Sequence, residues 1–312
     1  MARARRVWAA PARPILVSMV SLAGAAWLIH HVLRDFSWPL FIAALRATPT
    51  WAIVAAIVLT PASYVCLAVT EWFSLQSLGH RLSWHRAGRV AFASYAVSNS
   101  LGFSLATGTA TRLRLYSVWG LSAAAITSVA LLAGAAVSLS GVVTAGLGLL
   151  IRPAPFAEVF HWPRWIIEGI GLALLAPGVL WFAVLRRPAA EADTAALAHT
   201  RSGRAFALLA GVADWALSGA ALYVLLPHPT LAGFPEFIAV FVLGSLVSAA
   251  TGVPGGVGVF EAVVLGVSML VARTQETATA LILYRVIYSL GPLLAMSLGL
   301  GGLHMIQRRL RA

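Results

Sequence analysis

Four ionisable residues, Glu71, Asp214, Glu261 and Arg285, stand inside or beside long apolar runs. A charge within hydrocarbon is costly, so such residues mark substrate or ion pathways by default. The chemistry they offer is the handling of charge rather than bond making: carboxylates can meet a cationic group or carry protons, and arginine can meet a phosphate. Plain structural roles compete with these. Glu71 lies near the end of its run, where a side chain can snorkel to the interface. Asp214 and Glu261 lie too deep for that, so their alternative is pairing, and Arg285 is a natural partner for Glu261.

A second group surrounds two breaks in the apolar pattern. Arg112 and Arg114, with Tyr116 beyond, follow a stretch containing Asn99, Gly102 and Gly108. An arginine fork can grip a phosphate through charge-assisted hydrogen bonds, and aromatic rings sit at headgroup depth; the same arginines also serve as topology markers. The second break, Thr251 to Gly258, contains Pro254, Gly255, Gly256 and Gly258. Such breaks expose backbone N–H groups, and half-helix N-termini attract anions. Glycine is also common wherever membrane helices pack closely.

Other chemistries lack their residues. The eight histidines are scattered with no i, i+4 pair beside a glutamate, Cys66 is the single cysteine, and no phosphate-binding loop or Ser-His-Asp arrangement stands out. No catalytic residue, metal or cofactor is expected.

The elements that position these residues follow from composition. Of 312 residues, 60% are apolar and 10% charged, with mean hydropathy +0.87. A soluble domain is typically about 25% charged, so the chain is an integral, all-α, polytopic membrane protein. All 22 basic residues are arginine, clustered between apolar runs, which suits topology and headgroup contact and not nucleic acid. Runs of spanning length are Ile15 to Leu33, Trp51 to Phe73, Leu121 to Ile151, Trp165 to Leu185, Phe206 to Leu226 and Ala278 to Ile306. The basic head and Ala23-Gly24-Ala25 of the first run imitate a signal peptide, but its apolar stretch continues to a spanning length. Two segments, Ala91 to Thr111 and Phe237 to Ala272, are broken, and read as re-entrant hairpins, because freed backbone is tolerated at membrane depth only when buried or facing a wet cavity.

Positive charge accumulates in cytoplasmic loops. With both hairpins returning to their own side, 16 arginines lie inside and 5 outside; letting Ala91 to Thr111 cross once gives 10 against 11. The hairpin topology places both termini in the cytoplasm. It also divides the chain into two halves, 14–151 and 165–306, each with three crossings and a hairpin, the second inverted relative to the first. Ala106-Thr107-Gly108 and Ala250-Thr251-Gly252 echo each other at the two breaks. Inverted-repeat transporters place their sites where such broken helices meet. The same reading leaves open whether 237–272 is a hairpin or two short spans.

The stretches Ser98 to Ser122 and Val253 to Gly266, with Tyr284-Arg285-Val286-Ile287-Tyr288 and Pro292, resemble signature regions of the transmembrane flippase part of bacterial lysylphosphatidylglycerol synthetase/flippase proteins and their stand-alone relatives. The resemblance covers nearly the whole chain. It implies movement of aminoacylated or other phospholipids between leaflets of the bacterial cytoplasmic membrane, and adds Tyr288 to the candidate substrate-binding residues. Only Ala312 follows Arg311, so neither the soluble synthase domain nor synthesis is expected. The leading expectation is therefore a phospholipid translocase, with Arg112, Arg114 and Arg285 meeting phosphate and Glu71, Asp214 and Glu261 meeting a cationic group or protons. A coupled transporter of a small solute and a membrane scaffold for an envelope enzyme are the alternatives. Phospholipids and the membrane are the expected partners, a homo-oligomer stays open, and nucleic acid is not expected.

Overall fold

Lipid offers the backbone no hydrogen-bond partners, so a chain this apolar must satisfy its amides internally. The computed structural model describes residues 38–101, 104–184, 201–251, 259–268 and 274–298, and among them regular structure is entirely helical. The helices are α1 (Trp38–Ala47), α2 (Thr50–Ser77), α3 (Trp84–Leu101), α4 (Ser104–Tyr116), α5 (Ala123–Ile151), α6 (Pro153–Phe160), α7 (Arg164–Val184), α8 (Arg201–Tyr223), α9 (Phe234–Thr251), α10 (Val259–Ser268) and α11 (Thr274–Tyr284). A π-helix, Arg285–Leu290, continues α11.

Six stretches are long and apolar enough to cross a membrane: Thr50–Ser77, Ala123–Ile151, Arg164–Trp181, Arg204–Tyr223, Leu231–Ala249 and Glu276–Leu298. Five of these coincide with expected spans. The first expected span, Ile15 to Leu33, lies outside the described residues, as do Gly102, Pro254, Gly255, Gly256 and Gly258. The sixth, Leu231–Ala249, falls largely in the segment read as a hairpin. There the described residues form α9, with 18 residues, and α10, with 10.

The first broken segment forms an antiparallel helix pair. The guanidinium of Arg86, early in α3, stacks 5.4 Å from the ring centroid of Trp119, just beyond α4. At the other end Gly108 of α4 faces Ser98 of α3, where a Cβ would come within 2.7 Å of the Ser98 hydroxyl. The chain then turns through Gly120, in a left-handed conformation at φ 80°, into α5, whose N-terminus is capped by the Ser122 hydroxyl accepting from the Ala125 N–H at 3.2 Å.

Helix α5 sits at the centre because its glycines let three neighbours approach its backbone. A Cβ on Gly141 would lie 2.7 Å from the Trp215 indole of α8, one on Gly146 would lie 2.8 Å from the Gly171 carbonyl oxygen of α7, and one on Gly148 would strike the Pro235 carbonyl of α9. The Trp215 indole N–H also donates to the Val137 carbonyl at 2.8 Å. On its other side α8 makes its most extensive packing with α2. An aromatic core joins these helices to α10 and α11: Phe241, Phe260, Tyr284, Tyr288 and Tyr64 pack together, and the Tyr284 and Tyr288 rings stack at 5.0 Å.

Candidate functional site

The intramembrane charges fall into three clusters. In the first, Glu71 of α2 is fully buried, and Arg112 of α4 closes over it: Arg112 Nε donates to Glu71 Oε1 at 2.9 Å and Nη2 donates to Oε2 at 2.7 Å. The Tyr116 hydroxyl donates to Oε1 at 3.0 Å, and the guanidinium carbon lies 5.0 Å from the Tyr95 ring centroid. Burial of two charges is tolerated only when geometry and hydrogen bonding satisfy both. A bidentate pair with a phenol and an aromatic face meets that condition. Glu71 therefore does not snorkel. Arg112 and Arg114 point to different surroundings, since residues two apart on a helix face apart: Arg112 is buried and Arg114 exposed.

The second cluster joins α10 to the π-helix. Arg285 donates from Nε to Glu261 Oε1 at 2.8 Å, and its Nη2 lies 2.7 Å from the same oxygen. The two side chains keep 24% and 17% exposure, where Arg112 and Glu71 keep 6% and 0%. The Glu261–Arg285 pair is thus the more accessible of the two.

The third cluster lies between α2, α8 and the π-helix. Asp214 is buried, and its Oδ1 accepts a short hydrogen bond from the Ser63 hydroxyl, which is itself 2.8 Å from the Tyr288 hydroxyl. Around it, the Tyr64 hydroxyl donates to the Tyr288 carbonyl and the Asn99 amide donates to the Tyr64 hydroxyl, each at 3.3 Å, while the Ser100 hydroxyl donates to the Ser289 carbonyl at 2.9 Å. A π-helix leaves carbonyls in altered register and recurs at functional sites. Here side chains of α2 and α3 take up two of those carbonyls.

One cavity of about 1180 Å³ connects much of this chemistry. Arg112, Arg285, Asp214, Tyr288 and Asn99 line it, beside walls that are mostly apolar. Its rim between α4 and α5 includes Leu105 and Leu131, which are 60% and 53% exposed. Of the other expected site residues, Glu71 and Tyr116 stand behind Arg112, Glu261 holds Arg285, and Arg114 faces outward. Gly108 is buried in the α3–α4 contact. Among the described residues no group of three His, Cys, Asp or Glu side chains could hold a metal ion.

Residues 15–295 match the family described as the lysylphosphatidylglycerol synthase TM region. The chain belongs to that family. As a lysylphosphatidylglycerol synthase TM family member it is 29% identical over 286 residues to an uncharacterized protein, slr0712, of Synechocystis sp., a match covering 90% of this chain and 88% of that protein. It is 26% identical over 294 residues to the inner membrane protein YbhN of Escherichia coli, covering 91% and 89% of the two chains. It is also 28% identical over 209 residues to the phosphatidylglycerol lysyltransferase of Bacillus subtilis, covering 65% of this chain and 24% of that longer one. The chain is thus a multi-pass membrane protein, and one of its relatives is an inner membrane protein.

For this lysylphosphatidylglycerol synthase TM family member, sequence reasoning omitted Ser63, Tyr64 and Tyr95. A hydroxyl in an apolar helix usually bonds its own backbone four residues earlier, as Thr60, Thr70 and Ser74 do. Ser63 instead bonds across to α8. The available signal was density: α2 carries Thr60, Ser63, Tyr64, Thr70, Glu71 and Ser74 within fifteen positions of an apolar run.

Proposed function

We propose that the protein is a phospholipid translocase that shelters headgroups while they pass between leaflets of the cytoplasmic membrane. The observation that carries this reading is the cavity: it is largely apolar, it opens beside exposed leucines between α4 and α5, and it holds an arginine whose ion pair keeps partial exposure. A soluble solute needs a route to water. A lipid needs a polar interior reached from the side, with room for tails at its mouth, because only its headgroup must be shielded across about 30 Å of hydrocarbon.

In this reading Arg285 meets the headgroup phosphate. Glu261 engages Arg285 through a single oxygen, and a phosphate can replace that contact with a comparable charge-assisted one, leaving Glu261 to meet a cationic headgroup amine where the lipid carries one. Arg112, locked to Glu71, supplies a fixed positive wall, and Tyr288 and Asn99 supply neutral polar groups. The α3–α4 pair acts as the re-entrant hairpin of the first half, and both termini face the cytoplasm, the orientation the arginine distribution favours. No covalent chemistry is assigned to the chain.

The test is purified protein in liposomes carrying headgroup-labelled fluorescent phospholipid in both leaflets, with an impermeant reductant added outside. Translocation is expected to bring nearly all the fluorescence within reach of the reductant. Quenching that stops at the outer leaflet, as in protein-free vesicles, would refute the proposal, and uptake of a soluble solute without lipid exchange would move the assignment to a solute transporter.

A further inference from the structure

The three intramembrane carboxylates are not equivalent. Glu71 and Glu261 each face an arginine within hydrogen-bond reach. Asp214 has no ion-pair partner among the described residues; its one hydrogen-bond partner there is Ser63. It is nonetheless buried, near the middle of α8, and lines the cavity.

We infer that Asp214 is the group that carries a proton through the transport cycle and so couples lipid movement to a pH difference; this rests on the translocase reading above. The direction of the hydrogen bonds favours a proton over a metal cation. Ser63 has one hydrogen and gives it to Asp214 Oδ1, so the contact between Ser63 and Tyr288 has Tyr288 as donor. The carboxylate therefore faces a relay of donors, Tyr288 to Ser63 to Asp214. A bound sodium ion would need those lone pairs turned toward it. The same relay steadies the ionised carboxylate without neutralising it, so adding a proton removes a buried charge that has no ion-pair partner among the described residues.

The step balances simply. Hydronium reaching the cavity gives its proton to Oδ2 of Asp214, leaving water and a neutral carboxylic acid; release to water on the opposite side restores the carboxylate. Among the described residues the groups that face this site are few. From α2 they are Ser63, Tyr64 and Cys66, from α3 Tyr95, and from α11 and its π-helix Tyr284 and Tyr288. Among the described residues Arg112 and Arg285 are the cations lining the same cavity, while α5 and α9 contribute the hydroxyls of Thr127, Ser138, Ser245 and Ser248 but no titratable side chain to it. Because Tyr288 belongs to the π-helix that begins at Arg285, the charge on Asp214 acts on the segment holding the phosphate-binding arginine.

The experiment uses the full chain in liposomes containing a pH-sensitive dye, with potassium and valinomycin clamping the membrane potential near zero. A one-unit pH difference should drive an unequal leaflet distribution of labelled lipid, up to about tenfold per proton moved. An imposed lipid imbalance should in turn move protons. In Asp214→Asn, whatever lipid movement remains should carry none, and Asp214→Glu should restore it. Independently of any variant, a hydrophobic carbodiimide, which attacks protonated carboxyl groups, should modify Asp214 of the parent protein and spare Glu71, as read by mass spectrometry. Lipid movement in the parent without proton movement would overturn the inference while leaving the translocase reading intact, as would accumulation driven by a sodium gradient at equal pH or an unmodified Asp214. Absence of lipid movement in the parent would instead refute the translocase reading.

Discussion

Arg112 and Glu71 meet 41 residues apart in sequence, through two charge-assisted hydrogen bonds of 2.9 and 2.7 Å, at a point where neither side chain reaches the surface to any useful extent. The pair fastens α4 to α2, and with it the α3–α4 pair to the body of the protein. Removing one partner strands the other charge in a buried site. Glu71→Met and Arg112→Met should each destabilise the protein by about 3 to 5 kcal/mol, and the double variant should recover most of the loss. Thermal unfolding in detergent measures all three; a double variant no more stable than either single one would contradict the account.

Tyr116 donates to the same carboxylate. Its replacement by phenylalanine keeps the ring and deletes one bond to a charged acceptor, so a smaller loss, about 1.5 to 3 kcal/mol, is expected in the same unfolding assay.

Arg285 behaves differently because its ion pair is partly exposed and beside the cavity. Arg285→Gln should slow lipid movement about ten- to a hundredfold, the range expected for losing a contact of about 1.5 to 3 kcal/mol, with near-normal thermal stability. Adding Glu261→Gln should not restore transport. Rescue by the second substitution would reveal a structural pair instead.

The orientation can be read with single cysteines in a Cys66→Ala background. Ser117, exposed just after α4, should react with an impermeant thiol reagent only from the cytoplasmic side, and Gln275, at the start of α11, only from the opposite side. Labelling of position 117 from outside would overturn the re-entrant assignment of α3 and α4.

Gly148 tests the packing. A methyl group there would strike the Pro235 carbonyl, a backbone atom that cannot turn aside. Gly148→Ala should cost about 1 to 3 kcal/mol in thermal unfolding, whereas the same change at Gly134, where nothing lies within 4 Å of an added Cβ, should be tolerated.

The spans were legible because apolar length is a local property: the runs beginning at Trp51, Leu121, Trp165, Phe206 and Ala278 all reappear as helices. The polar composition of Ala91 to Thr111 and the arginine count pointed to a break there, and α3 and α4 form an antiparallel pair over wider bounds, Trp84 to Tyr116. Side-chain partnerships were less legible. Arg112 and Arg114 looked equivalent as phosphate contacts by proximity in sequence, but the helical turn between them sends one inward and the other out. The partner of Arg112 depends on how α4 lies against α2, which no spacing encodes. Glu261 and Arg285 were easier, because each lay within an apolar run and had few alternatives. Beyond the density of polar residues in α2, nothing singled out Ser63, because its type and setting are those of Thr60 and Thr70, whose hydroxyls turn back on their own helix.

The glycine contacts of α5 have a mechanical consequence. Backbone touching backbone or a large ring, with no flexible side chain between, leaves nothing to deform, so α5, α7, α8 and α9 must travel as a rigid block. In the proposed translocase, opening and closing therefore fall to elements outside that block. Outside it, α3, α4 and the π-helix hold to one another, to α2 and to α10 through hydroxyls, an amide and ion pairs, directional contacts of a different kind from the backbone contacts of α5.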